Sequence, residues 1–501
     1  MAAPERFDLV VIGAGPAGLA GAIAGGVLGR RVALVERARD VGGALINTGT
    51  LPSKTLRETA LALSGFRTRD LHGVDLSLRR AARVCDFLHH ERDVKRIARA
   101  DFAERLAVSG VTPVAGTARF VGPHVVEVVP PAGASGKPRR LSGRYVLIAT
   151  GSRPVRPPEF PFEHPRVWDS DEILELERLP RRLAVIGAGV VGIEYASTFN
   201  ALGAQVHVVD GRGELLPFLD DELSRRLQRA MSRLGVRFHW NERVRSCGAP
   251  RRGPIRLALS SGATLAVDAV LVAAGRRACV EGLALEAAGL AVDERGLVAV
   301  DRSCRTRVPH VFAAGDVVGF PALASVSAEQ ARVAVCAAFG GRFKKEIAPL
   351  LPSGIYTIPE VSSVGATEES LRERRVDYVV GRASYAHNAR GAIIGDRAGL
   401  LKLLFRRRDL RLLGAHMIGE QATELVHIGL MTLLRGGGAA DLQRACFNVP
   451  TLSNLYKDAA YRAQIARDLP AAAGRAARAR RLRRRTAPIA ARPRPARGSP
   501  G

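Results

Sequence analysis

The chain alternates apolar runs of strand length with stretches in which small or apolar residues recur at helical spacing. One apolar run covers residues 7–12, a small-residue stretch follows it, and a second run covers residues 31–35. The same order returns at residues 182–186 and 205–209. Strands that alternate with helices in this way are typical of parallel α/β domains. The pattern therefore predicts two α/β units of the same kind.

The stretches outside these two units have different patterns. Residues 58–106 are charged and carry apolar residues at three- and four-residue steps, which predicts helix. Residues 154–165 are dense in proline, which indicates a linker. From about residue 352, short strand-like runs precede two helical patterns. We therefore expect a third domain of α+β type at the C-terminal end.

A glycine motif follows the first apolar run directly. Gly13, Gly15 and Gly18 form G-x-G-x-x-G, and Glu36 ends the second run. Such glycines permit a tight turn, let the backbone approach a pyrophosphate, and allow close packing of helix on strand. The helix N-terminus offers amide donors to phosphates, and Glu36 can accept a hydrogen bond from a ribose hydroxyl. The complete arrangement of strand, turn, helix, strand and acid predicts a dinucleotide site.

The motif returns as Gly187, Gly189 and Gly192, and Asp210 ends the strand that follows, which predicts a second dinucleotide site. A carboxylate at this position accepts a ribose 2′-hydroxyl and repels a 2′-phosphate, whereas an arginine does the opposite. Asp210 therefore favours NAD, while Arg212 could bind NADP. Two interpretations stay open: one site that takes each nucleotide in turn, or plain NAD preference with an exposed arginine.

Composition and charge narrow the class of protein. The chain has 501 residues, 47% of them hydrophobic, so it is long enough for several globular domains. Its six cysteines include no C-x-x-C pair, which favours a reducing cytoplasm and argues against a zinc site, so we predict no metal. Residues 9–29 lack charge, but they are rich in glycine and follow acidic residues, so we expect neither a membrane span nor a signal peptide.

The net charge of +27 is uneven along the chain. Ten arginines and no acid lie between Arg475 and Arg497, in a tail that offers little to bury, so residues 467–501 are predicted to be disordered. Such a tail could hold RNA, DNA or an anionic membrane by counterion release. We favour the simpler interpretation of a solvated extension.

These motifs, taken in order, resemble those of the two-dinucleotide flavin disulfide reductases. The resemblance rests on GAGPAG with Glu36, the segment from Val41 to Lys54 (VGGALINTGTLPSK), Ala149-Thr150-Gly151, GAGVVG, and Ala314-Gly315-Asp316. It implies an α/β fold with two Rossmann-like domains, one for FAD and one for NAD(P), and a C-terminal α+β dimerisation domain. The implied boundaries are 1–155 and 296–350 for the FAD domain, 156–295 for the NAD(P) domain, 351–466 for the dimerisation domain and 467–501 for the tail.

The resemblance also implies which residues form the sites. Lys54 would lie beside the flavin and pair with Glu194, because an ammonium there stabilises the negative charge of reduced flavin. The cofactor FAD is expected at Gly13, Gly15, Gly18, Glu36, Arg37, Val41, Gly42, Gly43, Thr50, Lys54, Ala118, Thr150, Gly151 and Asp316. The nucleotides NAD(H) and NADP(H) are expected, as substrates, at Gly187, Gly189, Gly192, Asp210, Arg212 and Gly275.

Two parts of disulfide chemistry are missing from this sequence. The family's paired cysteines correspond to Leu45 and Thr50, and its acid–base His and Glu correspond to Val449 and Asn454. Disulfide exchange needs a thiolate and a proton partner for the leaving thiol. We therefore expect no disulfide reductase activity.

Hydride transfer needs neither group, and one branch of the family, the soluble Si-specific pyridine-nucleotide transhydrogenases, performs only that reaction. Residues 49–54 (GTLPSK), 318–325 (VGFPALAS) and 353–360 (SGIYTIPE) resemble this branch. That likeness implies a cytoplasmic, FAD-dependent enzyme that transfers hydride between NADPH and NAD⁺ by a ping-pong route, as a homodimer or larger homo-oligomer. The branch often has a cysteine at the position of Leu45 and usually a glutamate at that of Asn454, so these departures leave rates and preference open.

Two alternatives remain from the sequence. An NAD(P)H oxidase or quinone reductase would pass electrons from the flavin to a small acceptor. A flavoprotein scaffold would instead bind partners, including RNA through the arginine tail.

Overall fold

The computed structural model describes residues 3–64 and 84–469. Part of the stretch for which helix was predicted, residues 65–83, and the arginine tail from residue 470 lie outside the described residues.

The strands and helices are numbered in chain order. The strands are β1 (Glu5–Ile12), β2 (Val32–Glu36), β3 (Thr112–Ala115), β4 (Thr117–Gly122), β5 (Val125–Val129), β6 (Arg139–Ile148), β7 (Ser152–Pro154), β8 (Val167–Asp169), β9 (Arg182–Ile186), β10 (Gln205–Asp210), β11 (Arg237–Trp240), β12 (Val244–Gly248), β13 (Ile255–Leu259), β14 (Thr264–Val267), β15 (Ala269–Val272), β16 (Arg276–Ala278), β17 (Val311–Ala313), β18 (Ser353–Ile355), β19 (Val361–Gly365), β20 (Tyr378–Ser384), β21 (Leu400–Arg406) and β22 (Leu412–Ile418). The helices are α1 (Pro16–Val27), α2 (Thr50–Leu63), α3 (Val84–Val108), α4 (Val190–Ala201), α5 (Asp221–Arg233), α6 (Ala324–Phe339), α7 (Glu368–Glu373), α8 (Ala389–Ile393), α9 (Ala422–Leu434), α10 (Ala439–Arg444) and α11 (Asn454–Asp468). A π-helical turn (Ala44–Thr48) precedes α2.

The first sheet is a parallel core in the order β3-β2-β1-β6-β17. Strand β17 follows the strands of the second unit in the sequence but belongs to the first sheet, so the second unit is inserted within the sequence of the first. Strands β4 and β5 add an antiparallel extension along the first half of β6. Val10 and Ile12 belong to one core, and Leu9 and Val11 to the core on the other face. Burial on both faces is why the sequence shows an unbroken apolar run rather than alternation.

The second sheet is also parallel, in the order β11-β10-β9-β15-β8. Helices α4 and α5 cover one face, and the antiparallel strands β12, β13 and β14 lie on the other side. The short strands β7 and β16 pair with each other where the chain enters and leaves this unit.

The third sheet is antiparallel, in the order β18-β19-β22-β21-β20, with α9 and α11 packed on it. The mixed α/β fold predicted from the sequence is thereby confirmed, with two units built on parallel sheets and an α+β unit. The exact domain boundaries stay a prediction. Within the part of the chain that the structure describes, none of the helices combines the length and apolarity that a membrane span requires.

Buried charges join the second and third units. Lys402, on β21, points away from the core formed with α9 and α11 and towards the first residues of α5 and α7. Its Nζ lies 2.7 and 2.9 Å from the two carboxylate oxygens of Asp220, 3.4 Å from Glu222, and in contact with Glu368. These carboxylates are grouped closely enough to suit a metal ion, but the ammonium of Lys402 lies among them.

Candidate active site

The first nucleotide turn is shaped by close packing of backbone. Gly13 has φ of +101°, a conformation that L side chains avoid. A Cβ on Gly18 would lie 1.7 Å from the carbonyl oxygen of Gly13, so only glycine permits α1 to pack against the turn. Helix α1 therefore begins beside the carboxyl end of β1, with its amides free to face an anion.

Glu36 closes the same turn. Its Oε2 accepts a hydrogen bond from the Ala14 amide at 2.6 Å, and its Oε1 accepts one from the Ala38 amide at 2.8 Å. The carboxylate is thus fixed where the sequence predicted a ribose hydroxyl to bind, with lone pairs left to accept one.

A cavity of about 390 Å³ runs along this turn and into the segment before α2. The predicted FAD residues that line it are Gly13, Gly15, Glu36, Arg37, Gly43, Thr50, Ala118, Thr150, Gly151 and Asp316. Four further predicted residues, Gly18, Val41, Gly42 and Lys54, lie outside its lining, although Gly18 and Gly42 shape the adjoining backbone.

The cavity suits a polar, phosphate-bearing ligand such as FAD. The Oγ1 atom of Thr150 is buried and has no hydrogen-bond partner among the residues that the structure describes. A buried hydroxyl in that state costs free energy unless a ligand or water satisfies it. Together with the α1 N-terminus and the fixed carboxylate of Glu36, this hydroxyl supplies the kinds of group that a dinucleotide needs.

Among the cavity-lining residues that lie in the chain between the glycine turn and α2, none is a cysteine. Leu45 and Thr50 both line the cavity, at the positions where the family's cysteines were expected. Asn47 lies between them and accepts hydrogen bonds from Arg99 Nε at 3.0 Å and from its terminal nitrogen at 2.8 Å. Cys279 also lines the cavity as a free thiol, and burial raises its pKa, so it is a poor nucleophile at neutral pH.

Lys54 and Glu194 meet where the three units come together. The Lys54 Nζ lies 2.6 Å from Glu194 Oε2, and only 7% of the Glu194 side chain is exposed. The other oxygen, Oε1, accepts a hydrogen bond at 2.8 Å from the Tyr356 amide, at the start of the third unit. The Tyr356 ring centroid is 5.0 Å from Nζ, within cation–π range. The ammonium is therefore held in one place by groups from two other units.

The second nucleotide turn repeats the geometry of the first. Asp210 Oδ2 accepts a hydrogen bond at 2.6 Å from the Ala188 amide, as Glu36 does from Ala14. Arg212 also binds Asp210, from Nε at 2.9 Å and from a terminal nitrogen at 2.7 Å. Burial opposes ionisation of Asp210, but the hydrogen bonds from Arg212 and Ala188 outweigh it, so the pKa of Asp210 lies below its ordinary value. The carboxylate is charged at neutral pH and paired with an arginine.

The other predicted residues of this site are brought to the same edge of the sheet. Gly187 has φ of +106°, and a Cβ on Gly192 would lie 2.0 Å from the Gly187 carbonyl oxygen. Gly189 caps α4, while Gly275 lies at the crossing between units and accepts a hydrogen bond from the Val155 amide at 2.9 Å.

Several polar residues at the first site were not found from the sequence. Ser152 donates a hydrogen bond to Asp316 at 2.6 Å and accepts one from Arg276 at 2.9 Å. Arg276 also pairs with Asp171 at 3.0 Å, and all four residues line the cavity. Ser152 directly follows Ala149-Thr150-Gly151, so the motif could have been extended by one residue, but nothing local marks the other two.

The C-terminal segment carries the two residues that the resemblance sets at the positions of the family's acid–base pair, Val449 and Asn454. Val449 is 75% exposed in the single chain, and Asn454 donates a hydrogen bond from Nδ2 to the Asn448 carbonyl at 3.3 Å. Neither side chain can take up or release a proton near neutral pH.

Known proteins resemble this chain over nearly its whole length. The family model described as pyridine nucleotide-disulphide oxidoreductase matches residues 7–335, and the dimerisation-domain model of the same family matches residues 351–460. Two relatives bear the name soluble pyridine nucleotide transhydrogenase. The one from Mycobacterium bovis is 44% identical over 456 residues, which are 91% of this chain and 97% of the relative. The one from Pseudomonas putida is 40% identical over 462 residues, 91% and 98% of the two chains.

Solved structures of similar fold are flavoprotein disulfide reductase RclA from Escherichia coli, as a Cu(II) complex, and LpdA from Mycobacterium tuberculosis. The first has a TM-score of 0.82 at 28% identity, and the second 0.83 at 25%. Each covers 91% of this chain and 99% of the solved one.

Proposed function

This chain belongs to the pyridine nucleotide-disulphide oxidoreductase family, and on that premise we propose that it transfers hydride between NADPH and NAD⁺ by way of bound FAD. The nucleotides would occupy one site in turn, beside the second glycine turn. The activity is that named for the relatives from Mycobacterium bovis and Pseudomonas putida.

One observation carries the proposal. The dinucleotide cavity is intact and has the fixed ammonium of Lys54 nearby, yet its wall presents Leu45 and Thr50 instead of two thiols. A disulfide reductase needs those thiols and a proton partner. Transfer of hydride from one nicotinamide to another consumes and releases no proton, so it loses nothing when they are missing.

The residues of the chain have separate tasks in this reaction. FAD, when bound, supplies the hydride acceptor and donor that links the two half-reactions. Glu36 and the α1 N-terminus would hold its ribose and pyrophosphate, and Thr150 would donate or accept one further hydrogen bond. Lys54 would supply a positive charge to stabilise reduced flavin, and Glu194 with Tyr356 holds that ammonium in place. Leu45 would present an apolar side chain to the ligand from its side of the cavity.

Anaerobic mixing of the purified protein with NADPH and thio-NAD⁺ tests the proposal. We expect the analogue to be reduced, with parallel lines in double-reciprocal plots, as a ping-pong route requires. No analogue reduction would refute the proposal. Fast NADPH consumption that occurs only in air, or only with an added quinone, would support an oxidase or quinone reductase instead.

Lys54→Met makes the test specific to the assigned site. We expect the variant to retain FAD but to be bleached by NADPH about 10-fold or more slowly, because a charge that stabilises the transition state is gone. Lys95→Met is the matched control, since Lys95 also pairs with a buried glutamate, Glu91, at 2.7 Å but on α3. Equal bleaching rates in the two variants would contradict the role of Lys54.

We also propose that the chain forms a homodimer in the cytoplasm through residues 351–460, the part that matches the family's dimerisation domain. Light scattering that gives twice the chain mass of 53.5 kDa would support this assembly, and a monomer would refute it.

A further inference from the structure

We propose that Arg243 forms a subsite for the 2′-phosphate of a phosphorylated adenine dinucleotide, beside the neutralised pair of Asp210 and Arg212. The inference rests on the proposed function, because it concerns how one site could accept both NADPH and NAD⁺. It replaces the expectation that Arg212 itself binds the phosphate.

Arg212 is already committed to another partner. Its side chain makes two hydrogen bonds to Asp210, and its amide donates a third at 2.8 Å. A two-point pair of guanidinium and carboxylate is among the stronger surface contacts. Turning Arg212 towards a phosphate would break this pair and leave the buried Asp210 charged and facing that phosphate.

Arg243 lies beside Asp210 because of the segment that follows β11. After β11 the chain runs alongside the end of β10, where the Glu242 amide donates to the Asp210 carbonyl and the Asn241 amide donates to the Arg212 carbonyl, both at 3.1 Å. This places the guanidinium of Arg243 over Gly211. A Cβ built on Gly211 would lie 3.2 Å from Arg243 Nε. Glycine at 211 therefore leaves room for the arginine next to the acid that marks the ribose position.

The charge of Arg243 is available for a ligand. Its side chain is exposed, and among the residues that the structure describes it forms no ion pair with a carboxylate. The adjacent acid, Glu242, is turned to other partners, with Oε2 accepting from Ser260 Oγ at 2.6 Å and from the Ser261 amide at 3.1 Å. An exposed arginine of this kind can bind a phosphate through two donors.

The local charges then permit both nucleotides. Asp210 and Arg212 together are neutral, so the repulsion that a lone carboxylate exerts on a 2′-phosphate is offset, and Arg243 adds one positive charge. Asp210 already accepts three hydrogen bonds from Arg212 and one from Ala188, two on each oxygen, so a ribose 2′-hydroxyl would bind there by displacing one contact from Arg212. The first nucleotide turn is an internal comparison, because there the residue two positions after Glu36 is Ala38 and the predicted ligand, FAD, carries no 2′-phosphate.

The test measures binding to the FAD-loaded enzyme without turnover. Titration calorimetry with 2′,5′-ADP and with 5′-AMP, and with NADP⁺ and NAD⁺, gives the four dissociation constants. For Arg243→Ala we expect binding of 2′,5′-ADP and NADP⁺ to weaken by about 10- to 100-fold, which is the usual loss for a charge-assisted hydrogen bond. Binding of 5′-AMP and NAD⁺ should be unchanged. Arg243→Lys should restore part of the affinity for 2′,5′-ADP and NADP⁺, since lysine keeps the positive charge but lacks the planar guanidinium that donates two hydrogen bonds.

Arg256→Ala is the matched control, because Arg256 is another exposed arginine, on β13, opposite Gly248 at the far end of the same hairpin. An unchanged NADP⁺ affinity in Arg243→Ala, or an equal loss for NAD⁺, would overturn the assignment. So would the same loss in Arg256→Ala, which would indicate only the general basic charge. Since no hydride transfer is measured, a chain that binds as expected but fails the thio-NAD⁺ assay would refute the proposed function and leave this subsite standing.

Discussion

Replacing Lys402 by methionine should destabilise the protein far more than the loss of an ordinary surface ion pair. The Lys402 side chain is 1% exposed, and that of Asp220 is 0% exposed, so neither charge reaches water. Methionine fills a similar volume but leaves Asp220 without its cation. The carboxylate would keep only its hydrogen bonds from the amides of Glu222 at 3.1 Å and Glu368 at 3.2 Å.

The loss of stability in Lys402→Met depends on which carboxylates lose their cation. Breaking a buried pair by removing one member costs about 3–5 kcal/mol. Glu222 and Glu368 remain in contact with Arg382, so the loss falls mainly on Asp220, and we expect about 3 kcal/mol. With a urea dependence of about 3 kcal/mol per molar, the unfolding midpoint should fall by about 1 M.

The dependence on pH provides a second check. Burial opposes ionisation of Asp220, but the hydrogen bond and charge of Lys402 outweigh it, so the pKa of Asp220 is lowered. A lowered carboxyl pKa contributes stability above the unfolded value of about 4, and this stability is lost as the pH falls through the folded value. The difference between wild type and Lys402→Met should therefore be largest at neutral pH and shrink below about pH 4.

Urea unfolding followed by far-UV circular dichroism measures the midpoints. Lys344→Met is the control, since Lys344 pairs with Glu329 at 2.5 Å but both side chains are more than a quarter exposed, and such a pair is worth about 0–1 kcal/mol. If Lys402→Met costs no more than Lys344→Met, the view that this network joins two units by buried charge is wrong.

Three further substitutions, at Gly18, Glu194 and His416, should have effects that their surroundings determine. Gly18→Ala would place a methyl group 1.7 Å from the Gly13 carbonyl oxygen, so the purified variant should lose most of its FAD, measured as flavin absorbance per chain, and full retention would contradict the packing argument. Glu194→Gln keeps a hydrogen bond but not the charge that fixes Lys54, so we expect normal FAD content with bleaching by NADPH slowed by about 10-fold, and a wild-type rate would exclude a positioning role. Burial lowers the pKa of His416, so the unfolded chain takes up a proton at a higher pH than the native chain does. The free energy of unfolding should therefore fall as the pH drops below about 6.5. His416→Gln should make this fall smaller, which urea unfolding midpoints measured between about pH 7.5 and 5.5 would show.

The parts of the fold that were predictable are those encoded within short stretches. Each nucleotide turn needs a strand, glycines at fixed spacing, a helix and an acid, and all of them lie within one supersecondary unit. The runs that became β1 and β9 were found because strands buried on both faces are apolar throughout. The paired loss at Leu45 and Val449 could be noticed only against the family resemblance, since a leucine or valine by itself signals nothing.

The parts that could not be predicted depend on partners far apart in sequence. Asp220 and Lys402 are 182 residues apart and meet only because β21 faces α5. Arg243 reaches Gly211 because the chain after β11 runs alongside the end of β10, and no local pattern distinguishes it from the exposed Arg256. Tyr356 contributes its backbone amide as well as its ring, and every residue type except proline supplies that amide, so the sequence carries no trace of the amide's role.

The segment of residues 41–54 is held in shape without a disulfide. In a disulfide reductase the resemblance places two thiols at the positions of Leu45 and Thr50, and a bond between them would tie the turn to the start of α2. Here Asn47 ties the turn to the residues before it and to α3 instead: its Nδ2 donates to the Val41 carbonyl at 3.2 Å, and its Oδ1 accepts from Arg99, which pairs with Asp40 at 2.9 Å. The geometry that presents Lys54 therefore depends on α3 rather than on a redox state. In the proposed reaction Lys54 would serve both half-reactions and the thiols neither, so hydride transfer alone would require the lysine to stay in place but would not require the thiols.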